Sequence, residues 1–452
     1  MNERGANPRL RGMSRLLPAP FDKPAAANQA TPIERGTMRR VGWRLIPFLI
    51  ACYFIAYIDR VNIGVAALDM KDVGLSEAAF GLGGAMFFIA YALFEIPSNL
   101  MMQRTGARLW IARIMISWGV IGLATCLVAG PRSFYVLRFL LGAAEAGFFP
   151  GVILYLTCWF PAAYRARIVA TFMVAIPLSN FLGSPVSALL MALNGLAGLR
   201  GWQWVFLGES VPAIVLGLLA LRLLTNRPAE AHWLDEAQRR WLERTLAADR
   251  SQQPSSHHVS AWSLVRNKRV WLLALAYCGS SATSNALSLW QPQILKSFHL
   301  SILQTGLLNM LPFGLAAFCM IAWGRYADAT RERIWSTALP LALTSVSLLL
   351  TLTTGSLWIM VLLLSLALIG NYAVKGPYWA LVTETLPPSI VAASIAAINS
   401  LAHLGTGGAS ALLGVLKQQS GSFAVALLPL ALLTALGSVA VLLIGQQREG
   451  AR

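Results

Sequence analysis

The chain has 452 residues, 56% hydrophobic and only 12% charged, with a mean hydropathy of +0.61. Soluble domains carry roughly 25% charged residues, so a soluble enzyme or regulator is excluded and a membrane protein is indicated. The net charge of +17 raises nucleic acid as a partner, a reading that the placement of the charges removes.

Residues 1–41 are rich in Pro, Ala and Arg and lack the apolar core of a signal peptide. They read as a disordered cytoplasmic tail, with Met38, before Arg39 and Arg40, as an alternative start. Twelve long apolar segments follow, near 44–68, 79–102, 109–130, 133–157, 168–192, 203–224, 270–296, 303–324, 334–354, 356–380, 389–416 and 422–445. Each is near or above the roughly 20 residues that cross about 30 Å of hydrocarbon, and the short alternating segments of a β-barrel are absent. The fold expected is all-α and integral to the membrane: twelve transmembrane helices in two six-helix halves. The domains expected are an N-terminal half at 42–224, a cytoplasmic inter-half loop at 225–269, a C-terminal half at 270–445 and a tail at 446–452. With the N-terminus inside, Lys71, Arg132, Arg200, Lys296 and Lys417 fall outside and Arg60, Arg138 and Lys375 within the membrane; the remaining Lys and Arg fall in cytoplasmic segments. That asymmetry is the positive-inside rule. It places both termini in the cytoplasm and makes the basic charge a topology signal.

The first span holds Asp59 and Arg60 side by side. A charge at the centre of a bilayer helix costs about 2.5–3.5 kcal/mol even on lenient scales, so these residues must face a hydrated cavity or partners on other helices. In the second span Glu95 precedes Pro97, as a gating bond or as a seal for backbone freed at a proline kink. The loop after it carries Gly106 and Arg108, and Gly324, Arg325 and Asp328 read as the matching loop after span eight. The fourth span carries Arg138 and Glu145, two turns apart on one face, among small residues that permit close helix approach. At 1.5 Å rise per residue, Arg138 and Asp59 fall at similar depth, so the two can pair, leaving Arg60 for a ligand and Glu145 deeper in the cavity. Pro177, Gly183 and Pro185 kink the fifth span; Glu209 in the sixth has no evident role.

Within the inter-half loop, Trp233, Leu234, Ala237, Trp241 and Leu242 have the spacing of a short amphipathic helix over 235–250. In span seven, Tyr277, Asn285, Ser288, Trp290 and Gln291 are candidates for the second half of a cavity, with an interfacial anchor as the other reading of Trp290. Lys375 in span ten is an added cation for a dicarboxylate, or else snorkels or pairs with Glu384. The five cysteines show no paired or metal-ligand spacing, and no phosphate loop or catalytic set is present. No cofactor, no metal and no enzymatic activity are expected.

An arginine fork binds a carboxylate and stays protonated. Burial and a neighbouring guanidinium act in opposite senses on a carboxyl group, which suits Asp59 or Glu145 to loading and releasing a proton. A static ion-pair network that only pins helices is the alternative. Residues 53–62, the run Glu95-Ile96-Pro97-Ser98-Asn99-Leu100, the loop at 106–108 and residues 138–147 resemble signatures of the anion:cation symporter family of the major facilitator superfamily. Trp290-Gln291-Pro292, residues 376–380 and Ile398-Asn399-Ser400 resemble it more loosely. The nearest branch is that of bacterial tartrate, phthalate and sugar-acid permeases. The resemblance implies proton-coupled uptake of a small organic anion, with Na+ as the other coupling ion, by a monomer in the bacterial inner membrane. It implies that Arg60 holds the substrate carboxylate, that Asp59 with Arg138, and Glu145, form the proton-linked network, and that Tyr57 and Asn399 are cavity polar groups. Lys375 and His403 depart from the family pattern. An anion sensor acting through a partner and an exporter of the same superfamily are the other readings.

Overall fold

A computed structural model describes residues 31–251 and 266–449. The expected tails at 1–30 and 450–452 and the part of the inter-half loop at 252–265 lie outside the described residues. Twelve helical spans and no strand occur among those described: α1 Pro32–Ala66, α2 Glu77–Thr105, α3 Ala107–Ala124, α4 (Pro131–Glu145 and Phe148–Thr157), α5 (Ala162–Met173 and Ala175–Met191), α6 Gly201–Leu223, α7 Lys268–Lys296, α8 Ile302–Thr330, α9 Arg333–Leu350, α10 (Leu357–Ala373 and Lys375–Thr385), α11 Pro388–Ser420 and α12 Phe423–Glu449. Ten are long and apolar enough to cross a membrane. The other two, α7 and α11, have 29 and 33 residues, and both line the space between the halves.

Two expectations are corrected at helix ends. Residues 32–41 are not part of a disordered tail. Thr31 caps α1 through its hydroxyl, which accepts from the Glu34 amide at 3.3 Å, and Pro32 starts the first turn, where its missing N–H is no loss. Glu34 then accepts from the Tyr164 hydroxyl at 2.9 Å. Likewise Gly324, Arg325 and Asp328 lie on the last turns of α8, not in a loop, because the helix runs to Thr330 and ends only at Arg331, which is left-handed at φ 55°. Hydropathy marks where a chain leaves the hydrocarbon, and a helix need not stop there.

In the first half α1 packs on α5 and α6, α2 on α4, and α3 on α6; in the second α7 packs on α11 and α12, α8 on α10, and α9 on α10 and α12. The halves meet along α2 with α11, α5 with α8, and α1 with α7. This seam is tight on the face away from the described chain ends. There the Ala78 amide donates to Gln418 Oε1 at 3.1 Å and Asn309 Nδ2 to Ser184 Oγ at 3.0 Å. Gly81 lies so close to α11 that a Cβ would sit 2.6 Å from the Ser410 carbonyl oxygen. On the other face, called here the terminal face, the amphipathic helix Glu236–Ser251 rests on the first half. Trp233 stacks on Trp159 at 5.5 Å under the Arg44 guanidinium, and ion pairs join Arg40 to Asp235 and Arg165 to Asp249.

Candidate transport site

A cavity of about 570 Å³ lies between the halves on the terminal side of the seam. The first half lines it with Tyr53, Tyr57, Arg60, Tyr91 and the kinked part of α5, the second with Tyr277, Ser280, Ser281, Ser284, Asn285, Ser288, Tyr372, Lys375, Trp379, Asn399 and His403. A break in α4 helps to shape it. The first helix of α4 stops at Glu145 because Ala146 turns extended and Gly147 takes φ +83°, a left-handed value that glycine adopts freely. In α10 the backbone stays helical through Val374 (φ −66°, ψ −27°), and Lys375 just after it lines the cavity from the second half.

The charged residues pair differently from the expected Asp59–Arg138 arrangement. Neighbours on a helix point about 100° apart, so Asp59 turns into the first-half bundle and Arg60 faces the cavity. Arg60 Nε donates to Glu145 Oε1 at 2.8 Å, Nη2 donates to the same oxygen, and Glu145 is 1% exposed. The guanidinium is therefore not free, as it lies among the rings of Tyr57, Phe87 and Tyr91 at 5.1–5.7 Å and is held by Glu145. An arginine has five N–H donors and Glu145 takes two of Arg60's, so a carboxylate can still approach from the cavity. Asp59 accepts from Trp118 Nε1 at 3.0 Å and from Asn62 Nδ2 at 3.3 Å. Arg138 acts on Asp59 electrostatically but makes no ion pair among the described residues. Its guanidinium lies 4.7 Å over Phe87, with Nε unpartnered, beside a small void that it shares with Arg60.

Tyr57, Asn399 and Lys375 line the cavity, and Gln291 does not. Gln291 is fully buried on α7, with its amide 3.5 Å from the Asn309 carbonyl oxygen. Trp290 is no interfacial anchor, being wholly buried edge-on to Phe80 at 5.2 Å. Glu384 bonds to Arg333 at 3.0 Å, as does Asp328. Lys375 thus has neither as a partner and lies 4.3 Å over the Tyr372 ring. His403 packs on Tyr91 at 4.7 Å with Nδ1 unpartnered. The Gly106 turn is left-handed, and the Arg108 amide donates to Asn226 Oδ1 at 2.9 Å, tying this turn to the end of α6. Glu209 accepts from Ser187 at 2.7 Å. Asn62 stands in the sequence as a polar exception three residues after Asp59, one turn along the helix, whereas nothing in the sequence points to Trp118 as the other donor to Asp59.

A sequence model described as Major Facilitator Superfamily matches residues 49–410. Two proteins of Agrobacterium vitis, each named "Putative tartrate transporter", are 44% and 45% identical over 86% and 87% of this chain and 87% and 90% of their own. The "Quinolone resistance transporter" of Acinetobacter baumannii is 36% identical over 90% of this chain and 94% of its own. Among solved structures, a bacterial homologue of the lysosomal transporter Spinster, inward-facing and occupied, aligns with a TM-score of 0.71 at 16% identity, covering 92% of this chain and 98% of that one. A D-xylose–proton symporter aligns with a TM-score of 0.70 at 18% identity, covering 89% and 96%. At such identities these two structures speak to the fold.

Proposed function

The chain belongs to the Major Facilitator Superfamily, and from that premise we propose that this secondary transporter takes up a small organic anion together with a proton by alternating access. The observation that carries the reading is the Arg60–Glu145 pair at the wall of an inter-half cavity. A substrate carboxylate competes with Glu145 for the guanidinium, and a proton on Glu145 releases Arg60 to the substrate, which ties anion binding to protonation. Lys375, on the opposite half and without a carboxylate of its own, supplies the second cation. Tyr57 and Asn399 supply hydrogen bonds, and Asp59 with Arg138 forms the proton-linked group behind the wall. The tartrate named for two relatives fits a site with cations on both halves.

With the positive-inside rule setting the orientation, the terminal face is cytoplasmic, the membrane is the bacterial inner membrane, and the present conformation opens inward. The reading is tested in proteoliposomes carrying the full chain. Acidifying the outside should drive accumulation of labelled tartrate. Arg60→Ala should abolish binding, and Glu145→Gln should keep exchange while losing proton-driven accumulation. Normal transport by Arg60→Ala would remove the site from contention.

A further inference from the structure

The contacts between α2 and α11 step along both helices from the closed face inward. Ala78 bonds to Gln418, Gly81 lies on Gly414, Gly84 faces Ser410, Phe88 meets Gly407 and Tyr91 packs on His403. The series reaches Glu95, whose Oε1 accepts from Asn399 Nδ2 at 3.0 Å. This bond crosses between the halves. Glu95 is 7% exposed and its second oxygen, Oε2, has no partner. Asn399 lines the cavity. One donor group on each half is therefore engaged by a first-half carboxylate: Arg60 by Glu145, and the Asn399 amide by Glu95.

We propose that Glu95 is a competing ligand built into the transport site. Its carboxylate holds the Asn399 amide that a substrate carboxylate takes from the cavity side, and substrate binding at Asn399 undoes the cross-half bond. This rests on the cavity being the substrate site, as proposed above. A bond from an amide to an ionised carboxylate is about twice as strong as one to a neutral acceptor. A proton from the cavity water, received at Glu95, therefore weakens its hold on Asn399 and leaves no buried charge behind when the amide turns to the substrate. The charged and titratable groups around Glu95 are Arg60 on α1, Tyr91 on α2 and Tyr277 on α7, with His403 one turn along α11 from Asn399. Arg60 is the one cation among them, and Glu145 already engages it. A Glu95 that merely sealed the backbone beside Pro97 would have no call on the affinity for an anion.

The test measures tartrate binding calorimetrically to the purified full chain at acidic, neutral and alkaline pH. Glu95→Gln keeps the shape and an acceptor for Asn399 but loses the charge, and Glu95→Ala loses both. Both variants should bind tartrate about tenfold more tightly than the wild type at alkaline pH, and the loss of affinity with rising pH should flatten. Wild-type affinity and wild-type pH slope in both variants would overturn the proposal. Arg60→Ala, measured alongside, separates the two readings. Loss of binding there with unchanged Glu95 variants sinks the competing-ligand role alone. Retained binding there with tighter Glu95 variants sinks the Arg60 assignment alone.

Discussion

At the scale of single residues, the site is a matter of which way neighbouring side chains turn. Asp59 and Arg60 stand out in the sequence because nothing around them is charged, and of the two only Arg60 lines the cavity. Their partners were not legible. The choice between Glu145 and Arg138 depends on the rotation of α1 against α3 and α4, which no spacing within one span records. Trp118 provides a direct check. Its indole N–H is the donor for Asp59 Oδ2, and a buried carboxylate oxygen stripped of a donor costs about 1–3 kcal/mol. Trp118→Phe should therefore lower stability by about that amount in thermal unfolding, by the same reasoning. Gln291→Ala, which removes a buried side chain that does not line the cavity, should leave the Kd for anions unchanged in the same preparation. Lys375→Met should weaken tartrate binding by about tenfold or more, about 1.4 kcal/mol, and a monocarboxylate by less, read by calorimetry with both ligands. Equal losses for both ligands would place the ammonium outside the contact with the second carboxylate.

At the scale of helices, the twelve apolar runs were legible from hydropathy alone, and their ends were not. α1 starts before and α8 stops after its apolar run because caps and turns, Thr31 with Pro32 in one case and left-handed Arg331 in the other, set helix ends independently of hydropathy. The interruption of α4 was also hidden, since residues 142–147 read as a helix-packing stretch of small residues. Gly147 is where that break depends on one residue type: a Cβ in a left-handed conformation costs about 1–2 kcal/mol, and the Ser98 side chain already occupies the space. Gly147→Ala should lower the thermal midpoint and disturb the Glu145 carboxylate, seen as weaker proton-driven accumulation. At Gly81 a larger residue would collide with the α11 backbone. Gly81→Leu should hold the closed face apart, so that a cysteine placed at Gln418 reacts faster with a membrane-impermeant thiol reagent than it does in the parent protein. An unchanged rate would mean that the seam flexes around the added side chain.

At the scale of the molecule, two six-helix units meet along small residues on one face and diverge around the cavity on the other. That plan was legible from the count of spans and the polar interval after the sixth. Which face is shut could not be read, because it depends on glycine approaching backbone across the seam rather than on composition. Among the described residues the helix Glu236–Ser251 and the turn before it rest on the first unit, through Trp233 on Trp159 and the pairs at Arg40 and Arg165. A gene interrupted after the codon for Ser251 should yield two polypeptides that each keep their own interior and, when produced in one cell, reassemble into a working carrier.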